Sequence, residues 1–164
     1  MHIEARQFTE WARSIYPQAF HNKRVLDAGG GDINGCNKYL FSWDGEERFE
    51  CNDIGPAPNA TIVRATKDLT LEDGSVDAVI ATGVFTHGHV GSEAFPEVLR
   101  VVRPGGWVVI TCRSEVWAEL EPAAAVHEAA GRWSLHKRTA PQSFHPGKDP
   151  EDNFPQSVVI WRVC

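Results

Sequence analysis

A short apolar run that ends abruptly in three glycines constrains the fold of this chain more than any other feature. Residues 23–28, KRVLDA, have the character of a buried strand, and Gly29-Gly30-Gly31 follow at once. Glycines at such a turn let the backbone approach a ligand closely, and a helix beginning behind them presents free N–H groups. A plain tight turn is the alternative explanation. The run therefore predicts a strand that enters a tight turn, with room for a ligand.

The rest of the chain alternates predicted strands with predicted helices. Strands are expected at residues 23–28, 48–53, 60–64, 75–81, 107–112, 133–138 and 158–163, and helices at residues 1–17, 32–41, 93–102 and 115–130. Such alternation predicts an α/β fold with a mostly parallel sheet, and the last two strands predict an antiparallel hairpin. A long polar loop, residues 139–156, joins those two strands. The length suits a single domain over residues 1–164.

Charge and cysteine usage exclude several functional classes. The formal net charge of -6 argues against general nucleic-acid binding, although Arg132, Lys137 and Arg138 form a local basic cluster. The four cysteines contain no CxxC pair, which predicts reduced thiols in a cytoplasmic protein. No segment approaches the roughly 20 apolar residues that span a bilayer, and the opening residues lack the apolar run of a signal peptide. We therefore expect a protein with neither a membrane nor a nucleic-acid partner.

An acidic residue ends the second predicted strand, at an informative distance from the glycines. Asp53 lies 22 residues after Gly31. A carboxylate about 20 positions after a glycine turn is placed to accept hydrogen bonds from ribose hydroxyls. Turn chemistry at Asn52-Asp53 is the alternative. Together with the glycines, Asp53 predicts a nucleotide cofactor at the ends of the first two strands.

The nucleotide site leaves two cofactors in competition, NAD and S-adenosylmethionine (SAM). The glycines at Gly29, Gly31 and Gly35 are spaced G-x-G-x-x-x-G, which differs from the dinucleotide pattern G-x-G-x-x-G. Asp27 immediately precedes them. SAM carries an ammonium and a sulfonium but no phosphate, so a carboxylate here favours SAM and disfavours pyrophosphate.

Three segments, in order, resemble the class I SAM-dependent methyltransferases, in particular the type 11 domain. Residues 25–31, VLDAGGG, resemble the first motif of that family. Residues 68–80, DLTLEDGSVDAVI, resemble its DLPFPDGSFDVV segment, and residues 97–106, EVLRVVRPGG, resemble its EVLRVLKPGG segment. The resemblance covers about residues 23–113. It implies a Rossmann-like class I methyltransferase sheet, SAM as cofactor and a small-molecule acceptor for the methyl group.

Two parts of the chain resemble two different groups of methyltransferases. Residues 2–41 are similar to a bacterial methyltransferase group with an LDINGNNRYLF segment. Residues 82–133 are more similar to the methyltransferase-like proteins related to the Williams–Beuren-region protein. A divergent natural chain and a recombined chain both fit this pattern.

The resemblance also implies a set of cofactor-binding residues. These are Asp27, Gly29, Gly30, Gly31, Asp53, Ile54, Asp68, Leu69 and Thr82. Asp27 and the glycines would hold the methionine end of SAM, and Asp53 with Ile54 the ribose and one adenine face. The acidic residue common at the adenine edge is replaced near Ala65. Asp68 with Leu69, or the backbone at residues 66–67, would substitute, and a core position is the alternative for Leu69.

The loop after the fourth strand, residues 84–91, is expected to pass over the sulfonium. Many relatives read EH in this loop, where the present chain has Thr86-His87. A neutral imidazole near pH 7 can remove a proton from an attacking hydroxyl or amine, so His87 is the candidate catalytic base. The alternative is a histidine that shapes the loop. Zinc bound by His87 and His89 lacks an evident third ligand.

Two other functions compete with a methyltransferase that acts on a small molecule. The first is a non-catalytic SAM-binding protein that requires a partner, because the predicted lid over the site is short. The second is an NAD-dependent oxidoreductase, which the position of Asp27 disfavours.

Overall fold

Seven strands form one sheet whose centre is parallel. The computed structural model describes residues 10, 13–31, 37–57, 59–142 and 155–164. The strands are β1 (Val25–Ala28), β2 (Phe49–Asp53), β3 (Ile62–Val63), β4 (Val76–Thr82), β5 (Val102–Arg113), β6 (Trp133–Arg138) and β7 (Gln156–Val163). Their order is β3-β2-β1-β4-β5-β7-β6. β1 to β5 are mutually parallel, whereas β7 runs antiparallel to both β5 and β6. The predicted Rossmann-like sheet with an antiparallel C-terminal pair is confirmed.

Two α-helices cover one face of this sheet, and both coincide with predicted helices. α1 (Phe95–Val101) follows a 3-10 turn at Ser92–Ala94, and α2 (Ser114–Ala129) follows β5 directly. α2 ends at Gly131, whose φ of +67° is the left-handed conformation that favours glycine. The Gly131 N–H donates to the Glu128 carbonyl at 2.9 Å, which closes the helix.

The predicted N-terminal segments are only partly covered by the described residues. Residues 10 and 13–15 are helical, whereas residues 1–9 and 11–12 of the predicted helix lie outside the described part. The helix predicted through Phe41 is wrong where it is described, because Lys38–Leu40 forms only a 3-10 turn and Phe41 is extended. This extended backbone places Phe41 against the ring of Phe49, with centroids 5.6 Å apart. Packing against β2 thus overrides helical periodicity.

β5 begins five residues earlier than predicted. The segment RPGG lay between the predicted helix and the predicted strand, but the strand runs from Val102 through it. The pairing with β4 is irregular there, passing from Val76↔Val102 to Ala78↔Trp107. A Cβ at Gly106 would lie 2.7 Å from the Asp77 carbonyl oxygen, so only glycine allows the two strands to approach.

A cluster of aromatic rings fills the core between the sheet and the two helices. Trp133 and Trp161 stack with centroids 4.6 Å apart, and Phe95 of α1 meets Trp133 edge-on at 5.1 Å. The Trp133 indole N–H donates to the Ala124 carbonyl, and the Trp161 indole N–H donates to Glu128. These rings anchor α2 against β6 and β7 and thereby fix the position of its exposed face.

Candidate functional site

The sheet has its topological switch point at β1. The chain passes from β1 to β2 and β3 on one side and to β4 and β5 on the other. Loops that leave neighbouring parallel strands in opposite directions open a crevice at the carboxyl ends of those strands, where ligands bind in such folds. The glycine turn after β1, the loop after β2 and the loop after β4 all start at this edge.

The glycine turn lies against the loops on both sides. Gly29 has a φ of +65°, and a Cβ on it would lie 2.5 Å from Cγ2 of Val84 in the loop after β4. A Cβ on Gly31 would collide with Oδ2 of Asp53 at the end of β2. Gly29 therefore requires glycine, and a side chain at Gly31 would displace the Asp53 carboxylate. The structure brings together the predicted glycine turn, Asp53 and the loop that contains His87.

Asp53 binds the glycine turn and can still accept further hydrogen bonds. Its Oδ2 accepts a hydrogen bond from the Gly31 N–H at 3.1 Å, and its Oδ1 accepts one from the Gly55 N–H at 3.3 Å. An ionised carboxylate offers about four acceptor positions, so about two remain. The side chain is half-buried and can receive two neighbouring hydroxyl groups.

Asp27 lies beneath the glycine turn, where it is only 2% exposed. Its Oδ2 accepts hydrogen bonds from the Asn37 N–H at 3.1 Å and from the Asn37 side-chain amide at 3.4 Å. Burial raises the pKa of Asp27 from 3.8 to about 6, against the smaller lowering effect of the two Asn37 bonds. A bound cation close to this group would favour its charged form.

Asp27 should make the stability of the protein depend on pH. Because its pKa is raised in the folded state, the folded protein holds this proton more tightly than the unfolded chain does. The contribution of Asp27 to the free energy of unfolding should begin to fall near pH 4 and should fall by about 3 kcal/mol in all once the pH is well above 6. Asp27→Asn, which cannot ionise, should lose this dependence. Urea unfolding of both proteins across this range checks it, and parallel curves would contradict it.

Two asparagines that support the glycine turn were not found from the sequence. Asn37 binds Asp27, and the Asn59 side-chain amide donates to the Gly30 carbonyl at 2.7 Å. Both act across the fold, ten and 29 residues away from their partners along the chain. No local pattern marks either residue, so only the fold reveals them.

The predicted adenine positions separate into exposed and buried residues. Ile54 is 82% exposed beside Asp53, and Asp68 forms a surface ion pair with Lys67. Leu69 is 7% exposed and belongs to the hydrophobic core, so the core alternative applies. The apolar side chain of Leu69 packs inward, and a role for Asp68 with Leu69 at the adenine edge stays a prediction.

The segment that follows β3 is held from below by an asparagine of β2. The Asn52 side-chain amide donates to the Arg64 carbonyl at 3.0 Å and to Thr66 Oγ1 at 3.4 Å. Asn52 and Thr66 are both buried. The backbone around residues 65–67, the second predicted substitute at the adenine edge, therefore has a fixed support.

The loop after β4 carries His87 to the face of α2. Thr82 ends β4 beside Thr111 of β5, and the Gly83 N–H donates to Thr111 Oγ1 at 2.9 Å. A turn follows, in which the His89 N–H donates to the Thr86 carbonyl at 3.1 Å. Nδ1 of His87 lies 3.5 Å from Oε1 of Glu119, a residue of α2 that the sequence did not single out.

The described ranges hold neither a metal-binding cluster nor a membrane-spanning helix. No three His, Cys, Asp or Glu side chains gather there in a way that could hold a metal ion, so His87 and His89 gain no third ligand among them. None of the helices in that part of the chain is both long and apolar enough to cross a bilayer.

Known proteins match this chain both in sequence and in fold. Residues 46–110 match the family model described as a methyltransferase domain. No protein of curated function matches the sequence. A TehB-like SAM-dependent methyltransferase from Corynebacterium glutamicum is 19% identical, with a TM-score of 0.63 over 95% of this chain and 88% of that chain.

Two further solved structures share the fold. One is the 1,6-didemethyltoxoflavin-N1-methyltransferase of Burkholderia thailandensis, solved with its substrate and S-adenosylhomocysteine (SAH) bound. It is 16% identical, with a TM-score of 0.63 over 94% of this chain and 77% of that chain. The other is a SAM-dependent methyltransferase from Methanosarcina mazei, 13% identical, with a TM-score of 0.60 over 86% of this chain and 92% of that chain.

The sheet order and the crevice at β1 define an α/β protein with the fold of the class I methyltransferases. Residues 46–110 match a methyltransferase domain, which agrees with the methyltransferase resemblance found in the sequence. The solved structures show that the chain shares the fold of SAM-dependent methyltransferases.

Proposed function

We propose that this chain transfers the methyl group of SAM to a small-molecule acceptor at the carboxyl edge of β1, β2 and β4. One observation carries the proposal: the Gly31 N–H binds Asp53 at the switch point, while Val84 closes over Gly29. These contacts form a cradle in which the glycine backbone carries no side chain and the Asp53 carboxylate can accept further hydrogen bonds. A ribose with two neighbouring hydroxyls fits that cradle.

The proposed cofactor site uses the charge and exposure of its residues. The two remaining acceptor positions of Asp53 would receive the ribose hydroxyls, and the exposed side chain of Ile54 would cover one adenine face. Asp27 supplies negative charge beneath the turn, which suits a cofactor that carries an ammonium and a sulfonium. The pyrophosphate of NAD would be repelled there, so the oxidoreductase alternative is disfavoured.

The proposed base is His87, in the loop that begins at Val84 above the glycine turn. SAM supplies an activated methyl group, so most of the catalysis comes from holding the acceptor in line with it. The imidazole of His87 would take the proton that the acceptor loses. The side chain is half-exposed, which leaves it accessible to an acceptor that enters from solvent.

A small-molecule acceptor and a cytoplasmic location are part of the proposal. The B. thailandensis enzyme, which shares the fold, was solved with a small heterocyclic substrate, 1,6-didemethyltoxoflavin. The net charge of -6 disfavours a polyanionic acceptor such as nucleic acid. Cys112 is a buried free thiol, which is typical of a reducing compartment.

Transfer of a labelled methyl group tests this proposal. The chain is incubated with methyl-labelled SAM and a pool of small metabolites, and labelled products and SAH are measured together. We expect the two to form in equal amounts. A parallel thermal-shift series should show stabilisation by SAM and SAH of about 2.7 kcal/mol at a ligand concentration 100 times Kd, and none by NAD.

Each contrary outcome points to one of the alternatives. Stabilisation by SAM without any label in products would contradict catalysis and favour the non-catalytic SAM-binding protein. Stabilisation by NAD alone would contradict the cofactor assignment.

A further inference from the structure

A contact between the loop after β4 and α2 gives His87 a defined partner. Nδ1 of His87 lies 3.5 Å from Oε1 of Glu119, and the two residues are 32 positions apart in the chain. We propose that Glu119 is a positioning residue that fixes His87 in the tautomer protonated on Nδ1, with the lone pair of Nε2 directed away from α2. This inference rests on the proposed role of His87 as the base.

The chemistry of the two groups determines which ring nitrogen carries the proton. A neutral imidazole has one donor and one acceptor nitrogen, whereas an ionised carboxylate only accepts. A hydrogen bond between the two groups would run from Nδ1–H to Glu119, which leaves Nε2 as the acceptor. Without such a partner, nothing at this position selects the tautomer in which Nε2 can act as a base.

The same carboxylate stabilises the product of the proton transfer. The proton of the acceptor O–H or N–H passes to Nε2 while its electron pair forms the bond to the methyl carbon and the S–CH3 bond breaks. His87 becomes an imidazolium, and the positive charge of the sulfonium is lost as SAH forms. The negative charge of Glu119 favours the imidazolium.

The other glutamates of α2 have different partners. Glu115 lies 4.0 Å from Arg113, Glu121 lies 3.6 Å from Arg138, and Glu128 accepts the indole N–H of Trp161. Glu119 instead lies at the exposed border of the helix face that is buried through Val116, Leu120 and Ala124. This packing fixes the backbone of Glu119 beside the loop.

The loop side of the contact is also fixed. The turn bond from the His89 N–H to the Thr86 carbonyl encloses His87, and the Gly83 N–H binds Thr111 at the base of the loop. The His87–Glu119 distance is long for a hydrogen bond. Such contacts often shorten when substrate binds and water is excluded.

The tautomer of His87 is the first readout. Two-dimensional NMR of protein labelled with 15N-histidine reports directly which ring nitrogen is protonated. The signal that disappears from the spectrum of His87→Ala is assigned to His87. We expect Nδ1–H in the wild-type protein and a shift of the population towards Nε2–H in Glu119→Gln. Glu121→Gln, on the same helix but paired with Arg138, is the matched control and should leave the tautomer unchanged.

The second readout separates kcat from KM with an acceptor found in the transfer assay. Glu119→Gln should lower kcat by roughly 10- to 100-fold, the value of one hydrogen bond to a charged group, with KM for SAM unchanged. Glu121→Gln should retain the wild-type kcat. In a His87→Ala background, Glu119→Gln should cause no further loss, because the two residues act through one another.

The outcomes distinguish this inference from the proposed function. An unchanged His87 tautomer in Glu119→Gln, or equal kcat values for Glu119→Gln and Glu121→Gln, would overturn the role of Glu119 while methyl transfer stands. A wild-type protein that transfers no methyl group would overturn the base role of His87, and with it this inference.

Discussion

Replacing His87 with alanine is expected to lower kcat by about 10²–10⁴-fold while SAM affinity is nearly retained. The loss follows from removing the only proposed proton acceptor, and the binding residues at β1 and β2 are left intact. The residual rate would come from the alignment of the acceptor with the methyl group. Steady-state rates of SAH formation and calorimetric SAM affinity measure the two effects separately.

His89→Ala is the control for this prediction. His89 is exposed in the same loop, and its backbone N–H, which the substitution keeps, makes the turn bond to Thr86. We expect only a small change in kcat. Equal, small effects at His87 and His89 would mean that neither histidine transfers a proton, so that catalysis rests on alignment alone.

Asp53→Ala is expected to weaken SAM binding by about 10- to 150-fold, the range for one lost hydrogen bond to a charged acceptor. The substitution removes the carboxylate that would receive the ribose, and it also releases the Gly31 N–H that holds the glycine turn. Both effects act on the cofactor site and leave the aromatic core untouched. Calorimetry measures the change in Kd, and circular dichroism verifies that the fold is retained.

Asp73→Ala is the matched control for Asp53. Asp73 forms an ion pair with Arg100, and it lies in the turn before β4, at the opposite edge of the sheet from the glycine turn. We expect SAM affinity to stay at the wild-type value in this variant. An unchanged Kd in Asp53→Ala would remove Asp53 from the site.

The central strands were predictable because their chemistry is local. β1 and β4 are apolar runs bounded by glycine and aspartate turns, and the structure places both within two residues of the prediction. β3 was predicted over residues 60–64, but only Ile62–Val63 pairs with β2. Strand ends depend on which backbone groups find partners across the sheet, and a single sequence does not contain that information.

The candidate site was predictable only where its residues follow strands directly. Asp53 and the glycine turn were found because each comes immediately after a strand, at a spacing that the fold imposes. Asn37, Asn59 and Glu119 were not, because each reaches its partner only after the chain has folded. The position of Leu69 in the sequence allowed two interpretations, and its burial in the core favours the structural one.

A crystal structure with SAH bound tests the central claim most directly, because it shows the cofactor site and the proposed base together. We expect both ribose hydroxyls within hydrogen-bonding distance of Asp53, the methionine end beside the glycine turn, and the His87 ring within reach of the sulfur directly or through one water. SAH bound away from β1 and β2, or a His87 ring far from the sulfur with no water between them, would contradict the account.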